Sequence, residues 1–492
     1  MSKTNESQLN LMLKYYLAEK DSNTNQEIEA KFGTRGFRNL TIGRADFENV
    51  IKKLKSTGFY SEPVSDLLRI QNEFIDEKRG KTNLSNIRTE ITGITQIQKY
   101  CNDNSVLDKD MAVMRNVQFV QKTIKKVDNK PIYPINYDDF NFRISYSTEK
   151  KLPSNIGLIQ AILSKWNDSR KVYRLLSRST FINSKYPMRV DCSIVKSSMK
   201  ENRKYVPTYI IKDSKIFTQN PSFEIEIELD NDKIAAMGLT NVQIAGMLRQ
   251  VIKIVMSGLQ QTNFPISYVE QEDVRIEYMD LIHEKESDKK KKKKDKKDKE
   301  SKYEKYKRIL PKDFIGPSSY TLQMENIVET AEENGVVSIR QPYTVTDKAD
   351  GMRKLLFISG EGRIYLIDTN MNIQYTGAIV RDEIMFDSLL DGEHILTNKY
   401  GDFINLYAAF DIYYIKGKDI RAFPFVNIDD DDEPTKFRRP MLHEYIKALK
   451  HVSIVDKGLS PIRIEAKKFY ISKESGAKSV IFSACDKVLS NI

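Results

Sequence analysis

Cysteine is scarce in this 492-residue sequence: Cys101, Cys192 and Cys485 are too few and too scattered for a disulfide framework or a zinc site. That scarcity leads us to expect a reducing, intracellular setting. No apolar run approaches membrane-spanning length, and the opening residues 1–10 lack the apolar core of a signal peptide. No internal repeat of solenoid length is present. What is there suits globular domains with solvated surfaces: 40% hydrophobic and 30% charged residues, in a chain long enough for two or three folded units.

The net charge is +11, and its position matters more than its size. Segment 284–308 holds 14 lysines and arginines against 7 acidic residues, so most of the excess sits in one low-complexity stretch. Such a run cannot form a core and reads as a solvated linker, although attraction to RNA phosphates or a nuclear import signal is compatible with it. It divides the sequence into 1–283, a linker at 284–309, and 310–492. The first part is rich in short alternating segments, at Gln26–Phe32, Phe142–Ser147, Met188–Val195 and Phe223–Leu229. Helical patterns lie near Leu9–Ala18 and Thr240–Met256, and the balance suggests a barrel or sandwich. The last part mixes helix and strand signals, with strands expected at Val336–Lys348, Lys354–Ile358, Arg363–Asp368 and Leu406–Tyr414.

Two acidic runs stand out. Alternation along Glu27–Phe32 puts Glu27, Glu29 and Lys31 on one strand face, with Ile28, Ala30 and Phe32 on the other. Phe223–Leu229 repeats the device with Glu224, Glu226 and Glu228 opposite Ile225, Ile227 and Leu229. Like charges two residues apart on one face lie roughly 7 Å from each other and repel. Five carboxylates so arranged ask for a cation, and Mg²⁺ or Mn²⁺ among carboxylate and phosphate oxygens would supply it. Between the runs, Arg143, Lys171, Arg174, Arg178, Arg189, Asp191 and Lys196 fall on alternating segments. In a closed barrel their inward members would meet in one lumen and clamp a triphosphate.

The ExExK and ExExE pair resembles the tunnel family of metal-dependent RNA triphosphatases. That resemblance implies an eight-stranded antiparallel β-barrel over most of 20–260. It makes Glu27, Glu29 and Glu226 catalytic, and Glu27, Glu29, Glu224, Glu226 and Glu228 the metal-binding set. Arg174, Arg178, Arg189 and Lys196 are the expected phosphate contacts.

A second constellation begins at Thr346–Arg353, which contains KxDGxR. Attack by a lysine amine requires the neutral form, which desolvation or nearby positive charge can favour. Lys348 is the candidate nucleophile. Asp350 would meet ribose, Gly351 would permit close backbone approach, and Arg353 would face phosphate or ribose. Downstream come Tyr365, an aromatic able to stack on guanine, the pair Asp391 and Glu393 around Gly392, and Asp411 in an otherwise apolar strand. A lone buried aspartate needs a cation or hydrogen-bond donors.

This order, with the upstream segment Phe314–Gln323, resembles the covalent nucleotidyltransferases, and with the first half it is similar to the mRNA capping enzymes of large cytoplasmic DNA viruses. The resemblance implies an α+β chain in two parts. An RNA triphosphatase barrel would precede a mixed α/β guanylyltransferase domain that forms Lys348–GMP from GTP. Glu393 would touch nucleotide and Asp411 metal. The implied substrates are 5′-triphosphate RNA and GTP, with no membrane, in the host cytoplasm or the virion. The family's further DG-hydrophobic motif and oligonucleotide-binding fold are not found. The expectation is a fragment, or a partner chain that supplies the rest, such as a cap methyltransferase subunit. An ATP-dependent RNA or DNA ligase with an accessory β domain and a non-catalytic scaffold are the competing readings.

Overall fold

The structure is a computed structural model that describes residues 3–18, 25–33, 40–76, 80–106, 116–283, 306, 309–328, 335–336, 338–339, 343–426, 435–455, 461–471 and 480–490. Two compact units divide at Gln261/Thr262. The lysine run lies outside the described residues, while Tyr268–His283, which the sequence reading grouped with the first part, belongs to the second unit.

In the first unit, strands β1 (Asn25–Phe32), β2 (Ser65–Asp76), β3 (Ile87–Thr92), β4 (Val117–Ile124), β5 (Phe142–Leu152), β6 (Lys171–Ile182), β7 (Met188–Ser197) and β8 (Ser222–Leu229) form one antiparallel sheet. Its order is β6-β7-β8-β1-β5-β4-β3-β2, and β2 pairs back onto β6, which closes an eight-stranded barrel. The apolar alternates face outward. Helices α1 (Lys3–Ala18), α2 (Arg44–Ser56) and α3 (Asn241–Gln260) cover one side, where Tyr16 meets Tyr146 of β5 and Phe47 meets Phe223 of β8. On the other side, Leu68, Ile70, Ile87, Ile91 and Tyr173 pack with Ile97, Tyr100 and Trp166. The packed clusters therefore lie outside the ring, and the inner face gathers the charged side chains, with Leu176 and Val195 in phase among them.

Helix α3 corrects the sequence reading of apolar runs. By length and composition alone it is apolar enough to cross a membrane. Instead Ile244, Leu248, Val251 and Val255 are buried within the unit.

The second unit is built on an eight-stranded sheet. Strands β9 (Met352–Ile358), β10 (Arg363–Asp368), β11 (Ile373–Ile379), β12 (Ser388–Thr397) and β13 (Phe403–Ile415) are antiparallel, and β14 (Arg463–Ala466) joins β13 in parallel. Both faces are buried. Leu356, Ile364, Leu366, Leu390 and Ile412 pack with Leu442 and Tyr445 of α5 (Arg438–Ala448), and Leu355, Phe357, Ile367 and Leu389 pack with Val274 and Tyr278 of α4 (Tyr268–His283). The strand expected at Val336–Lys348 does not form across its described residues. Among them only Val345 makes a bridge, to Tyr470.

Candidate active sites

Register fixes the lumen. Glu29 lies opposite Glu228 and Lys31 opposite Glu226 across β1 and β8; Ser145, Ser147 and Glu149 of β5 share that face with Arg143. Each acidic wall is met by cations. Lys31 bridges Glu224 at 3.2 Å and also binds Glu226; Arg174 reaches Glu224 at 2.7 Å, and Arg189 reaches Glu228 at 2.6 Å. Arg178 spans Asp191 at 3.0 Å and Glu226 at 3.7 Å. On the other wall, Lys122 binds Glu27 at 2.5 Å and Glu29 at 3.3 Å, while Ser147 and Ser145 donate to the same two carboxylates.

The structure thus brings together Glu27, Glu29, Glu224, Glu226, Glu228, Arg174, Arg178 and Arg189. Lys196 is the correction. It alternates onto the outer face of β7, and its Nζ donates to the carbonyl of Phe217 at 3.0 Å. The sequence reading also missed Arg69, Arg88, Glu90, Lys122 and Glu149. Arg69 binds Glu90 at 2.9 Å, and Arg88 binds Glu149 at 2.6 Å. For Arg69, Arg88 and Glu90 the signal was available in the apolar–charged alternation of Leu68–Gln71 and Ile87–Ile91.

Electrostatics separates these carboxyls. Burial raises Glu226, but the Lys31 ammonium and the Arg178 guanidinium overcome it and hold the group near about 2. Burial, reinforced by Glu27 and Asp191, pushes Glu228 up to about 7 despite Arg189. Glu27 is likewise raised, by burial first and by Glu29 and Glu149, against the pull of Lys122. An all-oxygen donor set of crowded carboxylates on adjacent strands has the chemistry that a hard divalent cation requires. Among the described residues no three acidic, histidine or cysteine side chains already converge as a cage.

The second unit holds its candidates at the start of β9. Lys348 and Asp350 are exposed, and the Gly351 turn lies against β12, where a Cβ would come within 2.9 Å of Ile395 and 3.0 Å of the His394 carbonyl. Glu393, opposite Arg353 in the ladder, keeps a buried and unpartnered Oε2. Gly392 is required where the Tyr407 ring passes, 2.6 Å from where its Cβ would stand.

Three expectations change. Arg353 is committed within the protein: its Nε and Nη2 donate to the Asp391 carboxylate at 3.1 and 2.6 Å, and its Nη1 donates to the Pro317 carbonyl at 2.6 Å. Tyr413 donates to the same carboxylate at 2.7 Å, and the lock is closed by Gly316 at φ +130°, where any side chain would strike Arg353. Tyr365 is buried rather than open to a base, because α4 covers it. Its hydroxyl donates to Glu270 at 3.0 Å and its ring packs on Tyr375. Asp411 finds the donors it needs in Arg438, at 2.9 and 3.0 Å, and in the Ile412 N–H, which leaves both oxygens engaged.

Behind the turn lies a buried polar chain that the sequence did not signal. Lys354 Nζ meets Gln374 Oε1 and His394 Nδ1, and His394 Nε2 meets Asn405 Oδ1 at 2.8 Å. Burial lowers Lys354 to about 8 and, with the charge of Lys354, His394 to about 4.

Residues 275–484 match the family described as mRNA capping enzyme, catalytic domain. A probable mRNA-capping enzyme of Acanthamoeba polyphaga mimivirus is 25% identical over 282 residues, covering 57% of this chain and 19% of that protein. Among solved structures, the mimivirus capping enzyme triphosphatase is 19% identical over 52% of this chain and 98% of its own, with a TM-score of 0.32. An RNA triphosphatase of S. pombe is 15% identical over 51% and 89%, with a TM-score of 0.29.

Proposed function

We propose, from a chain whose residues 275–484 match the family described as mRNA capping enzyme, catalytic domain, that the two units act in sequence on the 5′ end of RNA. The observation that carries the first step is the lumen, in which carboxylates of β1 and β8 face a ring of lysines and arginines. Arg174, Arg178 and Arg189 bind the phosphates of a 5′-triphosphate, and Glu27, Glu29, Glu224, Glu226 and Glu228 hold a Mg²⁺ or Mn²⁺ ion. That ion supplies charge neutralisation at the γ-phosphate. The carboxylates fix the geometry of attack by water, and the product is a 5′-diphosphate end.

In the second unit the Lys348 amine attacks the α-phosphate of GTP and displaces pyrophosphate; the lysine-linked GMP then passes to the diphosphate end. Asp350, Gly351 and Glu393 remain the nucleotide contacts. Arg353 and Asp391 position the strand that follows the nucleophile rather than touching substrate. The reading suits a viral chain working in the host cytoplasm or virion, with cap methylation as the step its product feeds.

Two assays test this. Phosphate release from triphosphate-ended RNA should fall at least 100-fold in Glu27→Ala and in Glu226→Ala, while labelling with GTP is kept. Lys348→Met should abolish labelling by α-labelled GTP and spare phosphate release. Release that survives both glutamate changes removes the first activity, and an adduct formed with ATP but not GTP turns the second into a ligase.

A further inference from the structure

Lys354 stands where an apolar residue is expected. Along β9 it is in phase with Leu356 and Ile358, which are buried in the cluster that packs with α5, and it is itself only 3% exposed. Among the described residues it forms no ion pair: Asp368, opposite in the ladder, accepts instead from the Asn370 and Asn372 N–H groups at 2.8 and 2.9 Å and from Asn372 Nδ2. A buried ammonium held only by neutral acceptors costs stability. A residue that weakens the fold in this way points to a role beyond the fold.

What the ammonium holds is a directed chain. It can only donate, so Gln374 Oε1 and His394 Nδ1, the latter at 3.1 Å, both accept. The His394 proton is thereby left on Nε2, which donates to Asn405 Oδ1 at 2.8 Å, and Asn405 Nδ2 donates onward to the Pro461 carbonyl. Burial and the charge of Lys354 keep this imidazole neutral. The chain thus crosses β11, β9, β12 and β13 and ends at the approach to β14. Its midpoint, His394, follows Glu393, and their backbone is the wall on which the Gly351 turn rests. A Cβ on Gly351 would stand 3.0 Å from the His394 carbonyl and 3.3 Å from Glu393 Cβ. Glu393 has a buried Oε2 with no partner, so its place depends on how firmly β12 is held.

We propose that Lys354, His394 and Asn405 are positioning residues for nucleotidyl transfer, whose hydrogen-bond chain holds β12 so that Glu393 and the Gly351 turn keep their places relative to Lys348. The reaction they serve rests on the guanylyltransferase reading above; the chain of hydrogen bonds does not. By alternation Lys354 and His394 face away from Glu393, so they act through the backbone. A fully satisfied buried network rigidifies what it joins, and a site whose supports are loosened loses rate while keeping its contacts.

Two measurements on the full chain test the assignment: the rate of adduct formation from saturating α-labelled GTP, and amide hydrogen exchange without nucleotide. Lys354→Met should melt no lower than the unsubstituted chain at neutral pH, yet form adduct about tenfold more slowly. His394→Leu should be slowed to a similar degree. His394→Gln, whose amide can accept from Lys354 and donate to Asn405, should recover the rate to within about threefold. Exchange should quicken at 348–352 and 391–395 in the two slow variants and stay unchanged in the other strands of the second unit. Rates that remain within about twofold in both Lys354→Met and His394→Leu overturn the proposal. So do rates that simply follow melting temperature across the set, the mark of a role in the fold alone. If the unsubstituted chain forms no adduct with GTP, the guanylyltransferase reading fails and exchange alone decides: quickening at those two segments upholds the positioning chain, and unchanged exchange removes it.

Discussion

The two units bury charge in opposite ways. In the barrel, charge is dense and shared. Glu226 answers to Lys31 and Arg178, Asp191 to Arg178 and Arg189, and Lys122 to Glu27 and Glu29. In the second unit each buried charge has a single dedicated arrangement, as Asp391 has with Arg353 and Asp411 with Arg438. A shared lattice can lose one member and redistribute; a lone pair cannot. The lesson is that reactive groups which must exchange partners with a ligand belong in the lattice, and groups that hold a backbone in place belong in the pairs.

The largest effect expected of that difference is at Asp391, whose side chain is wholly buried. Asp391→Asn should cost the second unit about 3–5 kcal/mol, because it leaves the Arg353 guanidinium without its counter-charge. Chemical denaturation should resolve the loss in one unit only. A cost near that of a typical surface pair would dissolve the distinction between lattice and lock.

Lys354 sharpens it next. Its folded pKa, about 8, lies below the ordinary lysine value of 10.5, so the stability linked to it is complete above 10.5 and is lost as pH falls through about 8. At neutral pH the buried ammonium costs roughly 3 kcal/mol by that linkage. Melting between pH 7 and pH 11 should show this slope in the unsubstituted chain and a flat line in Lys354→Met. An unchanged slope would place the titration elsewhere.

The smallest effect belongs to Lys196. Since it lies outside the ring, Lys196→Ala should leave phosphate release within twofold, against the large losses expected at the inward glutamates.

How much of this was legible in the sequence depends on what a side chain's role rests on. Glu27, Glu29, Glu224, Glu226 and Glu228 could be read directly, because alternation along a strand assigns a face without reference to any other strand. Lys196 was assigned through the resemblance and against that rule: it is one residue out of phase with Arg189, Asp191 and Ser193, and the count along β7 separates them. Lys122 and Glu149 were invisible as partners, since only the pairing of β5 with β1, and of β4 with β5, brings them near Glu27 and Glu29. Tyr365 failed for another reason. Its exposure depends on α4, a helix from the far side of the lysine run, and no local pattern at Arg363–Asp368 reports that cover. The Arg353–Asp391 lock joins residues 38 apart through a hairpin-rich sheet, so the motif named both members but not their bond.

The return of β2 onto β6 has one more consequence. A closed ring of strands has no selvage around its middle, and the interior is reached only through a mouth. A polymer therefore presents its terminus or nothing, and the geometry discriminates ends from middles before any chemistry begins. A circular RNA of the same sequence should be inert to the lumen, however many phosphates it carries.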